Sequence, residues 1–203
     1  MSQTESRTAA AANRLIALLM KTILRGSPGV SRVRLAVVHN GIDDLSPTGN
    51  LRYDVTNSVP ARGRPIGRMA RNQKLSDWDA FLPALLAGQC ALHRTTGSAP
   101  FGLTLPGTTN LLICPVHDLV GDLAGAVVIM WDGCDQPPER RALRSLMEAG
   151  KQVAAQIAAV LCLCGPDALL LPGDSIEVPD DSRECLVEPD SRALDVSFSA
   201  TVR

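Results

Sequence analysis

The sequence predicts an α+β domain in which a central antiparallel sheet is flanked by N- and C-terminal helices. Three observations lead there. Amphipathic segments of helical period stand at the two ends of residues 12–164. Between them lie short runs that either alternate apolar with polar or are continuously apolar, separated by Gly, Pro and Asn. Composition then changes abruptly after Gly165-Pro166. With 203 residues and 45% apolar but only 3% aromatic side chains, the chain suits one globular domain with an appended segment, or at most two small domains. A charged fraction of 20% leaves enough apolar surface to offset the ordering of a chain. Collagen-like, disulfide-dense and multi-span membrane classes are excluded.

Residues 9–25 place Leu15, Leu19 and Ile23 on one helical face, with Leu18 extending it, and stop before Gly26-Ser27-Pro28-Gly29. Residues 1–11 are read as a flexible N-terminus. From Val30 to His39 the pattern alternates, Val33, Leu35 and Val37 against Arg32, Arg34 and Ala36, and Asn40-Gly41 supplies a turn. Leu51 to Val59 reads as a strand in which Tyr53 and Val55 alternate with Asp54 and Thr56. The stretch Pro60 to Lys74 reads as a long loop with five cations and no acid. Ser76 opens a predicted helix whose apolar residues are Trp78, Phe81, Leu82, Leu85 and Leu86, and Gly88 stops it. Cys90 to His93 is a short strand, followed by a loop over Thr95 to Thr109 and a strand from Asn110 to Val116. A turn at His117 to Asp122 leads to Leu123–Trp131, apolar on both faces as a central strand would be.

Pro137-Pro138 introduces the last helix, where Leu143, Leu146, Gly150, Val153, Ile157, Val160 and Cys164 follow heptad spacing. Two uses fit that stripe: packing one broad face on the sheet, or pairing with another subunit. Residues 165–203 are acidic and Pro-punctuated and are expected to be disordered. The formal charge of −1 therefore hides two unlike parts, 17 basic against 12 acidic side chains in residues 1–164 and 3 against 9 in the tail. The N-terminus has no continuous apolar stretch of the signal-peptide kind, and Val153 to Leu171 is too interrupted for a membrane span. A cytoplasmic location with reduced thiols is the expectation.

The chemistry-bearing residues make no motif. His39, His93 and His117 share no metal-ligand spacing, and Cys162 and Cys164 point apart on a helix. Cys90 and His93, like Cys114 and His117, are three apart and so face opposite sides of a strand. A pairing of Cys90 with His117, or of Cys114 with His93, stays open across neighbouring strands, but neither a catalytic set nor a metal site is assigned. In the basic loop Arg62, Arg64, Arg68, Arg71 and Lys74 either solvate the domain or meet an anionic group. Aromatic interleaving is sparse, which argues against nucleic acid.

The order of elements and two segments, Leu111-Leu112-Ile113-Cys114-Pro115-Val116 and Gly121-Asp122-Leu123-Ala124-Gly125-Ala126-Val127-Val128-Ile129, resemble the GAF domain over residues 12–163. A strand ending in proline, a polar turn and Gly-x-x-x-Gly entering an apolar strand also fit PAS and roadblock architectures. The residue signature of cyclic-nucleotide-binding members, the cysteine pattern of the free methionine sulfoxide reductases and a bilin-attaching Cys-His pair are not recognisable. The resemblance implies a sensory or regulatory module without catalysis, its cofactor unidentified. It would bind a small molecule or a partner protein and signal by protein contact, no output domain being recognisable in these residues. Ligand contacts are then expected from Arg62, Arg64, Arg68, Arg71, Tyr53, Trp78, His93 and Cys114. A homodimer is expected through Leu143, Leu146, Gly150, Val153, Ile157 and Val160. The alternative is a subunit without ligand that assembles through its terminal helices.

Overall fold

A computed structural model of the chain describes residues 3–27, 29–40, 51–64, 66–67, 69–95, 103, 107–132 and 139–164. The Asn40-Gly41 turn, Arg68, most of the Thr95–Thr109 loop, Pro137-Pro138 and the acidic tail fall outside those residues wholly or in part. The described chain runs α1 (Gln3–Gly26), β1 (Arg32–Asn40), β2 (Leu51–Pro60), β3 (Gln73–Lys74), a 3-10 turn (Leu75–Trp78), α2 (Leu82–Leu86), β4 (Ala91–Arg94), β5 (Thr108–His117), β6 (Leu123–Asp132) and α3 (Arg140–Cys164). The strands form one antiparallel sheet in the order β3-β2-β1-β6-β5-β4. An α+β fold with a central antiparallel sheet flanked by N- and C-terminal helices is what the sequence predicts.

The apolar alternation of β1 separates two layers. Val33, Leu35 and Val37 face α1 and α3, as do Leu112, Cys114, Val127 and Ile129 of the neighbouring strands. Ala36, with Leu111, Ile113, Ala126, Val128 and Met130, faces the opposite side, where the 3-10 turn, α2 and Leu103 cover it. β6 lies between β1 and β5 and is buried on both faces from Gly125 to Trp131. Close strand contact explains Gly125: a Cβ there would collide with the backbone oxygen of Ala36.

Four sequence expectations are corrected. α1 begins at Gln3, ahead of the expected Ala9, so most of the segment read as a flexible N-terminus is helical. Its buried stripe is Ala9, Ala12, Ile16, Met20 and Ile23, while Leu15 and Leu18 are about half exposed at 47% and 53%. Small alanines, not the leucines, take the positions of close approach. The helix expected from Ser76 breaks into the 3-10 turn and a short α2. Pro83 has no N–H and its ring would clash with the carbonyl four residues back, so it is accommodated in the first turn of α2. Gly88 stops α2 as expected, at φ +72°. Pro115 does not end its strand. It pairs with Ala126 inside β5 beyond the last β4 pair, Ala91 with Ile113, where β5 has become an edge.

β2 carries a further irregularity. Leu35 pairs with Asn57 but Ala36 with Val55, so Thr56 is bulged out. Tyr53 and Val55 belong to the loop-side layer, whereas Val59 beyond the bulge belongs to the helix side. There too Asn57 Nδ2 donates to Asn13 Oδ1 of α1 at 3.2 Å.

α3 has the length and apolar composition of a membrane-crossing helix. Its apolar stripe is nevertheless used within the chain. Leu146, Gly150, Val153, Ile157 and Val160 are buried and Leu143 is partly buried, against the sheet and α1. These are the positions expected to pair subunits, and the intramolecular core occupies them. A subunit contact on α3 would have to use other side chains.

Candidate functional site

The residues expected to contact a ligand separate into three places. Tyr53, Trp78 and His93 converge on the loop side. The Tyr53 and Trp78 rings lie 4.8 Å apart between centroids, Trp78 and Phe81 5.7 Å, and Phe81 and His93 6.2 Å. This row forms because Tyr53 precedes the β2 bulge, because the 3-10 turn rolls Trp78 inward, and because His93 stands opposite Leu111 across the β4–β5 ladder. Tyr53 and Trp78 are fully buried, and desolvation pushes the Tyr53 phenol up to about 12. The Trp78 Nε1 lies near that phenol, yet it has no hydrogen bond of acceptable geometry among the described residues.

Cys114 is on the other face. It is fully buried beneath α3, and its sulfur meets Cys90 rather than His93. The His93–Cys114 pairing left open by the sequence is therefore excluded by strand parity: His93 opposes Leu111, and residues on opposite faces cannot meet through the sheet.

The described cations of the basic loop differ in their surroundings, Arg68 lying outside the described residues. Arg62 and Arg64 are exposed. Arg71 Nη1 donates to Asp54 Oδ2 at 3.0 Å. Asp54 Oδ1 accepts from the Asn72 backbone N–H at 2.5 Å and contacts His39 Nε2 at 3.3 Å. Desolvation disfavours the Asp54 carboxylate, but these donors outweigh it and hold its pKa below the ordinary 3.8. The arrangement closes the loop as an edge: Gln73 pairs with Tyr53 in β3, and Val55 N–H donates to Ala70 O at 2.9 Å. Asn72 takes a left-handed φ of 51°, which asparagine tolerates.

Buried cations on the loop side come from β1, which the sequence reading did not single out. Arg32 and Arg34 are 3% and 0% exposed. Arg32 Nη1 donates to Ile66 O, which also accepts from Ser58 Oγ at 3.2 Å and so ties the loop down. Burial, and then the neighbouring Arg32, lower Arg34 to about 10, which leaves it charged at neutral pH. Strand register puts Arg32, Met130, Leu111 and His93 in one row across β1, β6, β5 and β4. The alternation of β1 was the available signal, since it sets both arginines on the same face as Ala36.

Among the described residues no group of His, Cys, Asp and Glu could hold a metal ion. The loop side thus brings together an aromatic row, a buried indole N–H and two buried guanidinia.

The sequence matches no known family profile and no curated protein. Solved structures do match. A far-red cyanobacteriochrome photoreceptor superposes with a TM-score of 0.53 at 14% identity, covering 76% of this chain and 87% of its own. A free methionine-R-sulfoxide reductase of type II from Thermoplasma acidophilum gives 0.52 at 14% identity, covering 76% and 94%. The PixJ GAF domain of Thermosynechococcus elongatus gives 0.50 at 13% identity, covering 80% and 92%. Identity this low carries the architecture and not the chemistry. These superpositions, together with an antiparallel six-stranded sheet flanked by N- and C-terminal helices, give the chain the GAF-domain fold.

Proposed function

We propose that this chain is a non-catalytic sensory or regulatory domain that receives a small molecule in its loop-side layer and signals by protein contact. The observation that carries this reading is the row Tyr53–Trp78–Phe81–His93, within which the buried Trp78 indole N–H lacks a hydrogen bond among the described residues. A buried donor left unsatisfied costs about 1–3 kcal/mol, and a ligand acceptor would recover that. The photoreceptors among the structural neighbours make a sensory role the natural first reading, and the sulfoxide reductase makes catalysis the rival to be tested. A ligand taken up beside Trp78 would favour one arrangement of the layer over another, and only that difference in affinity can drive a response.

A second reading has its own support. Tyr53, Trp78, Leu85, Leu103 and Leu111 pack into the loop side, each 0% exposed, while Leu15 and Leu18 of α1 stand out on the helix side. A domain whose ligand space is filled by side chains and which displays apolar surface would serve as an assembly subunit, as a homodimer or with another protein.

Native mass spectrometry of the purified full chain separates the two. A co-purifying small molecule, lost in a Trp78→Phe variant that stays folded, supports the sensor. An apo homo-oligomer or hetero-complex supports assembly. Turnover of free methionine sulfoxide by the purified chain would overturn the non-catalytic reading.

A further inference from the structure

On the face opposite the aromatic row, we propose that Cys90 and Cys114 form a reversible dithiol–disulfide site. Cys90 precedes β4 by one residue. Continuing the β4–β5 register, in which Ala91 opposes Ile113, sets Cys90 directly across from Cys114. The two sulfurs lie 2.7 Å apart, although 24 positions separate them in sequence. Directly opposed residues on paired strands hold their Cα atoms about 4.5–5.5 Å apart, within the span a disulfide bridges, so little backbone movement is required. Both are free thiols.

The partners are unequal, as a redox pair requires. Cys90 is half-buried at the sheet edge, whereas Cys114 is fully buried under α3. The Cys114 S–H can donate to the Cys90 thiolate, which draws the Cys90 pKa below its ordinary value against the opposing effect of burial, and Lys151 acts in the same direction. Cys114 is pushed up, first by that bond to Cys90 and then by burial. Cys90 is therefore the attacking sulfur and Cys114 the resolving one.

With hydrogen peroxide as oxidant the chemistry closes in two steps. The Cys90 thiolate attacks one peroxide oxygen, the O–O bond breaks, and the departing hydroxide takes a proton and leaves as water, giving Cys90 sulfenic acid. The Cys114 sulfur then attacks the Cys90 sulfur. The S–S bond forms, the S–O bond breaks, and a second water carries away the Cys114 proton. Two electrons pass from the thiols to the peroxide, and a dithiol reductant reverses the change by exchange.

The site is separate from the loop-side layer, so it stands or falls independently of ligand binding there. The test treats the folded full chain with hydrogen peroxide and maps its peptides by mass. The expected result is an intact mass lower by about 2 Da, the loss of two hydrogens, with the Cys90 and Cys114 peptides linked and released by dithiothreitol. The link should vanish in both Cys90→Ser and Cys114→Ser, the first substitution being the milder because Cys90 is at the edge. Oxidation of Cys90 to sulfinic acid, or consumption of peroxide at the exposed Cys162 while Cys90 and Cys114 stay reduced, would overturn the proposal.

Discussion

The Cys114 sulfur occupies the place where a side chain on Gly150 would begin. A Cβ built on Gly150 would lie 2.6 Å from that sulfur and 3.3 Å from Ile129 Cδ1. α3 therefore rests on the sheet through its glycine, and β5 supplies the missing side-chain volume from below. Heptad spacing alone makes Gly150 look like a seam position between subunits. In the fold it is the contact between helix and strand.

Replacing Gly150 by Ala should destabilise the domain even though alanine favours helix by about 1 kcal/mol. Overpacking against the Cys114 sulfur should cost about 1–3 kcal/mol, seen as a lower urea midpoint. Combining it with Cys114→Ala should restore most of the loss, because the collision is with one atom. Additive effects of the two substitutions would show that the helix accommodates the methyl elsewhere.

Gly125→Ala should be the harsher change. The obstacle there is the Ala36 carbonyl of the adjacent strand, and β1 cannot move aside without breaking its pairing with β6. We expect a loss of about 3 kcal/mol or more in chemical denaturation, at the upper end of overpacking costs. Equal stabilities of Gly125→Ala and the parent would contradict the register assigned to β1 and β6.

Asp54 should make stability depend on acid. Its folded pKa lies below its ordinary value, so its contribution is fully present above about pH 4 and is lost as pH falls through the folded pKa. Asp54→Asn, which keeps the shape but loses the charge facing Arg71 and His39, should lower stability at pH 7 by about 1–3 kcal/mol. Urea midpoints of the variant should also decline less steeply below pH 4. Parallel acid limbs in the two proteins would sink this assignment.

Trp78→Ala should cost about 3–5 kcal/mol, since the ring is fully buried between Tyr53 and Phe81. Near-ultraviolet circular dichroism should lose the signal of a fixed aromatic cluster. Trp78→Phe should retain most of the stability, which makes it the useful variant for ligand studies. An unaltered spectrum in Trp78→Ala would show that the aromatic row is not held as described.

The sheet was legible because period-two patterns in β1 and β2 report burial directly. The doubly apolar β6 announced a central strand. Helix faces were harder to read, since alanine carries little hydropathy. The α1 stripe uses Ala9 and Ala12 where spacing favours Leu15. The loop-side cluster was legible in part. Tyr53, Trp78 and His93 come together, but Cys114 was assigned to them without knowledge of its parity in β5. The density of arginine in residues 60–74 hid the cations that matter most to packing, Arg32 and Arg34, which look like the polar side of an ordinary strand. No one-dimensional pattern shows that Cys90 faces Cys114, because that depends on the register of strands separated by a loop.

The bulge at Thr56 gives β2 membership of both layers. On one side of it, Val55 hydrogen-bonds the basic loop at Ala70; on the other, Asn57 reaches Asn13 of α1. The strand is thus tied to the loop above the sheet and to the N-terminal helix below it at positions only two residues apart.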